Sequence, residues 1–100
     1  KLWRILKISG RMQESANKEA ISAVLKMTLE SRAIFCIHLI LDWLNLAGIL
    51  KGDPYQYRIN APGTISENNW SVVIPISLEE LLKHKVTKEA KKLIISTGRT

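Results

Sequence analysis

Nine consecutive residues, Ala33 to Leu41 (AIFCIHLIL), are apolar except for His38 and show no alternation of polar and apolar character. A strand covered on both faces reads this way, as in a parallel sheet flanked by helices. The run is far too short to span a bilayer, which takes about 20 apolar residues. Residues 15–30 precede it. There Ala20, Ile21, Val24, Leu25, Thr28 and Leu29 recur at the i, i+3, i+4 spacing of one helical face. Ser15 is placed to cap that helix with its hydroxyl, and Ser31 and Arg32 separate helix from apolar run. Helix, tight turn and doubly covered strand make half of a βαβ unit, so the expected fold class is α/β.

The remaining chain alternates short elements with turns. DWLNLAG, from Asp42 to Gly48, reads as a short helix, and KGDPYQ is a turn through Gly52, Asp53 and Pro54. SVVIPI, from Ser71, is extended, but Pro75 argues against a central strand. Ser77 with Glu80 three residues on forms a capping box for the helix LEELLKHK. Thr87 is expected to cap a last helix, KEAKKLIIS, with Gly98 just past its end. Residues 1–9 fit either a short strand or a helix end. The chain opens at Lys1 in mid-pattern, so residues 1–100 read as one segment of a longer polypeptide.

Composition narrows the function classes. Hydrophobic residues make up 46% of the chain, which favours a folded domain over disorder. The net charge of +6 raises an alternative, a small basic helical domain that binds nucleic acid. The charge is spread evenly, however. Residues 1–50 carry seven basic and four acidic side chains, and residues 51–100 carry eight and five, so each half is +3. The densest cluster, Lys83, Lys85, Lys88, Lys91 and Lys92, is broken by Glu89 and reads as a solvated helix face. Neither nucleic acid nor membrane is therefore the expected partner. The one cysteine, Cys36, lies in the apolar run and is expected to be a buried thiol in a reducing compartment, the cytoplasm. Lys1 to Ser9 lacks the apolar core of a signal peptide. His38 and His84 have no Cys or carboxylate at metal-ligand spacing, so neither metal nor cofactor is called for. His38 is expected to be a hydrogen-bonded core or strand-end residue. The sequon NWS, at Asn69, is expected to be fortuitous.

The stretch RINAPGTISENNW, Arg58 to Trp70, carries the functional signal. Connections usually run about 4–6 residues, and longer ones are often functional. Asn60 offers a donor and an acceptor to a sugar hydroxyl. Pro62 and Gly63 set a turn that lets backbone approach a ligand. Trp70 supplies a flat apolar face for a pyranose ring, or else lies buried under a loop that plugs the fold. Asp42 is either a contact at the end of the expected strand or the cap of the next helix. No carboxylate pair, Ser-His-Asp set or glycine-rich phosphate loop accompanies these residues, so no catalytic residue is assigned.

RINAPGT followed by NW resembles the segment R-[MI]-N-x-P-G-T…N-W near the C-terminus of the 4-alpha-glucanotransferases, the amylomaltase or disproportionating-enzyme family (glycoside hydrolase family 77). RAIFCIHLILDWLNLAG resembles that family's last barrel strand and its Q-D-[LW]-L turn, with Asp42, Trp43 and Leu44 matching. ISLEELL and KLIISTGR resemble its closing helices. The resemblance covers roughly residues 15–99. It implies the C-terminal part of a (β/α)8 barrel, mostly helical here with one or two strands. It also implies a parent enzyme that moves alpha-1,4-glucan segments between malto-oligosaccharides by a retaining double displacement. The family's catalytic acids lie upstream of the matched part, so this segment alone is expected to be inactive and to need the N-terminal remainder. Asn60, Pro62, Gly63 and Trp70 fall on the family's substrate-lining loop, with Arg58 as a loop-holding donor. Leu39 and Leu41 stand where the family has Pro and Gln, and Ala61 where a β-branched residue is common.

Overall fold

A computed structural model describes Arg4 and residues 17–99. The expected element over residues 1–9, Arg4 apart, and the expected cap at Ser15 lie outside the described residues. Within residues 17–99 four α-helices follow in order: α1 (Lys18–Leu29), α2 (Ile40–Leu46), α3 (Leu78–Lys83) and α4 (Lys85–Ser96), with a 3-10 turn at Pro54–Tyr57 between α2 and α3. Helix α1 packs on α2 and α4, α2 on α4, and α3 on α4.

Each helix start has a local cause. The Asn17 side chain caps α1, its Oδ1 accepting from Ala20 N–H at 2.9 Å. In α2 the Asp42 carboxylate reaches back to the Leu39 N–H at 2.9 Å, which satisfies one of the orphan donors of the first turn. The capping box at α3 forms as expected: Ser77 Oγ accepts from Glu80 N–H and Glu80 Oε2 from Ser77 N–H, each at 3.2 Å. For α4 the expectation fails. His84 is the cap, its Nδ1 accepting from Val86 N–H at 3.1 Å, and the helix begins three residues before Lys88. Thr87 lies inside it and donates its hydroxyl to the Leu81 carbonyl at 2.6 Å, tying α4 to α3. Helix α2 ends in a Schellman motif: Ile49 N–H donates to Leu44 O and Gly48 N–H to Asn45 O, with Gly48 at φ +70.

The core is small. Ala20, Leu25 and Leu29 of α1, Leu44 and Leu46 of α2, and Val86 of α4 are buried, Leu44 completely. The Cα radius of gyration is 15.2 Å, against about 13 Å for a compact domain of 100 residues.

The α/β expectation is overturned. Among the described residues there is no strand and no sheet, so the part of a (β/α)8 barrel implied by the resemblance is not seen. The apolar run shows why. A strand exists only when a neighbour takes its backbone N–H and C=O groups, and residues 33–39 have no such neighbour here. They run as irregular backbone, with Ile34 88%, Phe35 80% and Ile37 88% exposed. Ile40 and Leu41 join α2 instead. At the start of the run two carbonyls go to one side chain: Arg99 donates to Ala33 O at 2.7 Å and Ile34 O at 3.5 Å, and also to Ser31 O at 2.9 Å in the turn and Leu29 O at 2.6 Å at the end of α1. Apolar composition reported a need for cover, not the presence of it. Residues 71–76 are also irregular, yet Val72, Ile74 and Ile76 are half-buried while Ser71, Val73 and Pro75 are exposed. That is the period of two of an extended segment lying on one face.

Candidate functional site

The loop from Arg58 to Trp70 is closed by its own hydrogen bonds. Pro62 and Gly63 occupy the centre of a turn in which Thr64 N–H donates to Ala61 O at 3.2 Å. Gly63 has φ +79, the left-handed value the third position of a type II turn needs. Nothing lies within 4 Å of where a Gly63 side chain would begin, so this backbone is open to approach. Asn69 bridges the two arms. Its Oδ1 accepts from Ala61 N–H at 3.0 Å, and its Nδ2 donates to Thr64 O and Thr64 Oγ1, both at 3.2 Å. Arg58 Nε donates to Asn60 O at 3.2 Å, so Arg58 does hold the loop, though only locally.

Trp70 is the single non-glycine residue with positive φ among those described, at +62. A side chain in that conformation costs about 1–3 kcal/mol and persists where its surroundings over-determine it. Here Trp70 N–H donates to Ile59 O at 2.6 Å, closing the loop's base. The indole is 77% exposed, so within this chain it does not plug the fold. It borders a shallow cleft of about 210 Å³ whose other walls are Leu39, Ile40, Leu41, Ile59, Val72 and Ile74.

The structure therefore gathers Asn60, Pro62, Gly63 and Trp70 on one loop, with Pro62, Gly63 and Trp70 exposed and Asn60 half-buried. The Asn60 amide makes no hydrogen bond among the described residues, which leaves its donor and acceptor available. Asp42 does not join them: with no strand to end, it serves the first turn of α2. Asn69 is the residue that sequence reasoning passed over. Its half-buried amide is bonded through both its oxygen and its nitrogen.

The nucleophile-like residues are spent elsewhere. His38 Nε2 lies 2.7 Å from Thr28 Oγ1 and 3.4 Å from Cys36 Sγ, and its ring meets Trp43 edge-on at 5.6 Å. The Thr28 hydroxyl donates its one proton to Leu25 O at 2.8 Å. With that proton given to Leu25, Thr28 accepts from His38, which assigns the ring the tautomer with its N–H at Nε2. His38 is hydrogen-bonded as expected, but it is half-buried rather than a core residue and ends no strand. Cys36 is half-buried rather than buried. Five carboxylates are similarly engaged: Asp42 and Glu80 at helix starts, Asp53 on Tyr55 N–H at 2.9 Å, Glu89 with Lys18 at 3.6 Å and Glu30 with Lys26 at 3.8 Å; Glu67 and Glu79 make no such contact among the described residues.

A second concavity, of about 490 Å³, lies between α2, α3 and α4 and is lined by Ile40, Trp43, Leu78, Leu81, Leu82 and Val86, among others. Among the described residues no helix is long and apolar enough to cross a membrane.

Curated proteins are similar to this chain in sequence. A 4-alpha-glucanotransferase of Chlamydia pneumoniae is 45% identical over 74 residues, 73% of this chain and 14% of the relative. Those of Chlamydia muridarum and Chlamydia trachomatis serovar D are 44% and 42% identical over 62 residues, 61% of this chain and 12% of each relative. In sequence, the chain matches a segment of the 4-alpha-glucanotransferases. It spans only 12–14% of the length of these 4-alpha-glucanotransferases. No family profile matches the chain, and no solved structure does.

Proposed function

We propose that this chain is part of a cytoplasmic 4-alpha-glucanotransferase that moves alpha-1,4-glucan segments between malto-oligosaccharides with retention at the anomeric carbon, and that the segment supplies a substrate-lining loop. The observation that carries this reading is the 42–45% identity to four proteins that all bear the name 4-alpha-glucanotransferase. In a retaining double displacement one carboxylate attacks the anomeric carbon and a second carboxyl group acts as acid, then base, the two lying about 5–5.5 Å apart. That the chain spans only 12–14% of its relatives supports placing that pair in the remainder of the polypeptide. Asn60 would hydrogen-bond a sugar hydroxyl and Trp70 would stack on the ring.

The exposed Ile34, Phe35 and Ile37 support the remainder of the enzyme as a packing partner, since large exposed apolar groups mark contact surfaces. Disproportionation of maltotriose tests the reading. The parent polypeptide converts it to glucose and longer maltodextrins, and the purified 100-residue chain alone does not. A parent inert toward malto-oligosaccharides overturns the assignment; turnover by the segment alone overturns the placement of the catalytic pair.

A further inference from the structure

We propose that Asn69 is the positioning residue of the loop: its amide fixes the left-handed backbone of Trp70 and so sets where the indole is presented to a glucan. The ligand's identity rests on the reading above; the clasp itself does not.

The argument starts from the conformation. Trp70 stands at φ +62, where an L side chain does not settle unaided. Its own N–H reaches Ile59 O, which joins the arms of the loop at a single point and leaves them free to pivot. The residue before it removes that freedom. Asn69 Oδ1 takes the Ala61 N–H, two positions after Ile59, and Asn69 Nδ2 takes Thr64 on the far side of the Pro62–Gly63 turn. The Asn69 backbone N–H adds a bond to Ser66 O at 3.1 Å. The peptide after Asn69 is thereby referenced to the opposite arm, and the one before it to the turn at Ser66.

Donor directions select the side chain. The Thr64 hydroxyl gives its proton to Ala61 O at 2.6 Å, so toward Asn69 it can only accept. The Thr64 carbonyl also only accepts, while the Ala61 N–H only donates. The position therefore requires an acceptor and donors on one short planar group, which an asparagine amide offers. Aspartate keeps the acceptor, loses both donors, and sets a charge against the Thr64 carbonyl. The loop divides its labour: Asn69 holds, while Asn60 and Trp70 remain available to a ligand.

The test uses the parent polypeptide with Asn69→Asp and Asn69→Ala. Hydrogen–deuterium exchange of the 58–71 peptide is followed without sugar, and KM and kcat for maltotriose are measured. Both variants are expected to raise exchange about tenfold, as lost hydrogen bonds of this kind would, and to raise KM about tenfold while kcat changes less than twofold. Unchanged exchange overturns the clasp. Raised exchange with unchanged KM leaves the clasp standing and overturns the presentation of the loop to glucan. Thr64→Val removes one of the three Asn69 bonds, together with the Thr64 hydroxyl's own bond to Ala61 O, without touching the core, and guards against a folding failure. It moves both readouts in the same direction by a smaller amount, and no movement in either overturns the proposal.

Discussion

The guanidinium of Arg99 lies 2.7 Å from the carbonyl oxygen of Ala33 and 2.9 Å from that of Ser31, side chain and backbone being joined across more than sixty residues. A third bond, to Leu29 O, falls at the end of α1, where orphan carbonyls need donors. Arg99 thus organises the departure of the apolar run from α1. Arg99→Ala is expected to lower stability by about 2–3 kcal/mol, because charge-assisted bonds to backbone are lost. Arg99→Lys recovers less than half, since an ammonium cannot span the carbonyls as a planar fork does. Urea denaturation of the three proteins gives the ordering.

Leu44 is fully buried where α1, α2 and α4 meet. In a core of so few buried side chains its truncation has little to collapse into the space. Leu44→Ala is expected to cost about 2–5 kcal/mol, read as a fall in thermal midpoint. A loss below about 1 kcal/mol would show that the helices do not pack as described.

His84, rather than Thr87, begins α4. His84→Ala is expected to destabilise by about 0.5–2 kcal/mol and His84→Asn to restore most of it, as capping side chains do. Circular dichroism during denaturation measures both. Equal stability of wild type and the alanine variant would return the cap to Thr87.

Trp70 offers a contrast between two truncations. Both Trp70→Ala and Trp70→Gly remove the indole, and both are expected to raise KM for malto-oligosaccharides in the parent enzyme. Only glycine sits at φ +62 without strain, so the glycine variant should be the more stable of the two by about 1 kcal/mol, despite its greater freedom when unfolded. Paired chemical denaturation decides it.

These particulars show what the sequence could carry. Ser77 and Glu80 announce their helix because a cap is a contact three residues long, and Gly98 marks a helix end because φ +81 suits glycine. The period of Ala20, Leu25 and Leu29 places the buried face of α1 for the same local reason. The run from Ala33 to Leu39 misleads because its character states only that it is apolar. Whether it pairs depends on neighbours elsewhere in the chain. His84 was missed as a cap because imidazole is not among the usual capping groups. Of the site, the motif named Asn60, Pro62, Gly63 and Trp70 from residue type, but the bridging amide eight positions from Ala61 leaves no periodic trace. Nor does any pattern announce a tryptophan in the left-handed region.

The uncovered side chains of Ile34, Phe35 and Ile37 carry a practical consequence. Expressed by itself, this polypeptide would recruit chaperones and clump as its concentration rises, and mild detergent or the co-produced missing portion should keep it dispersed.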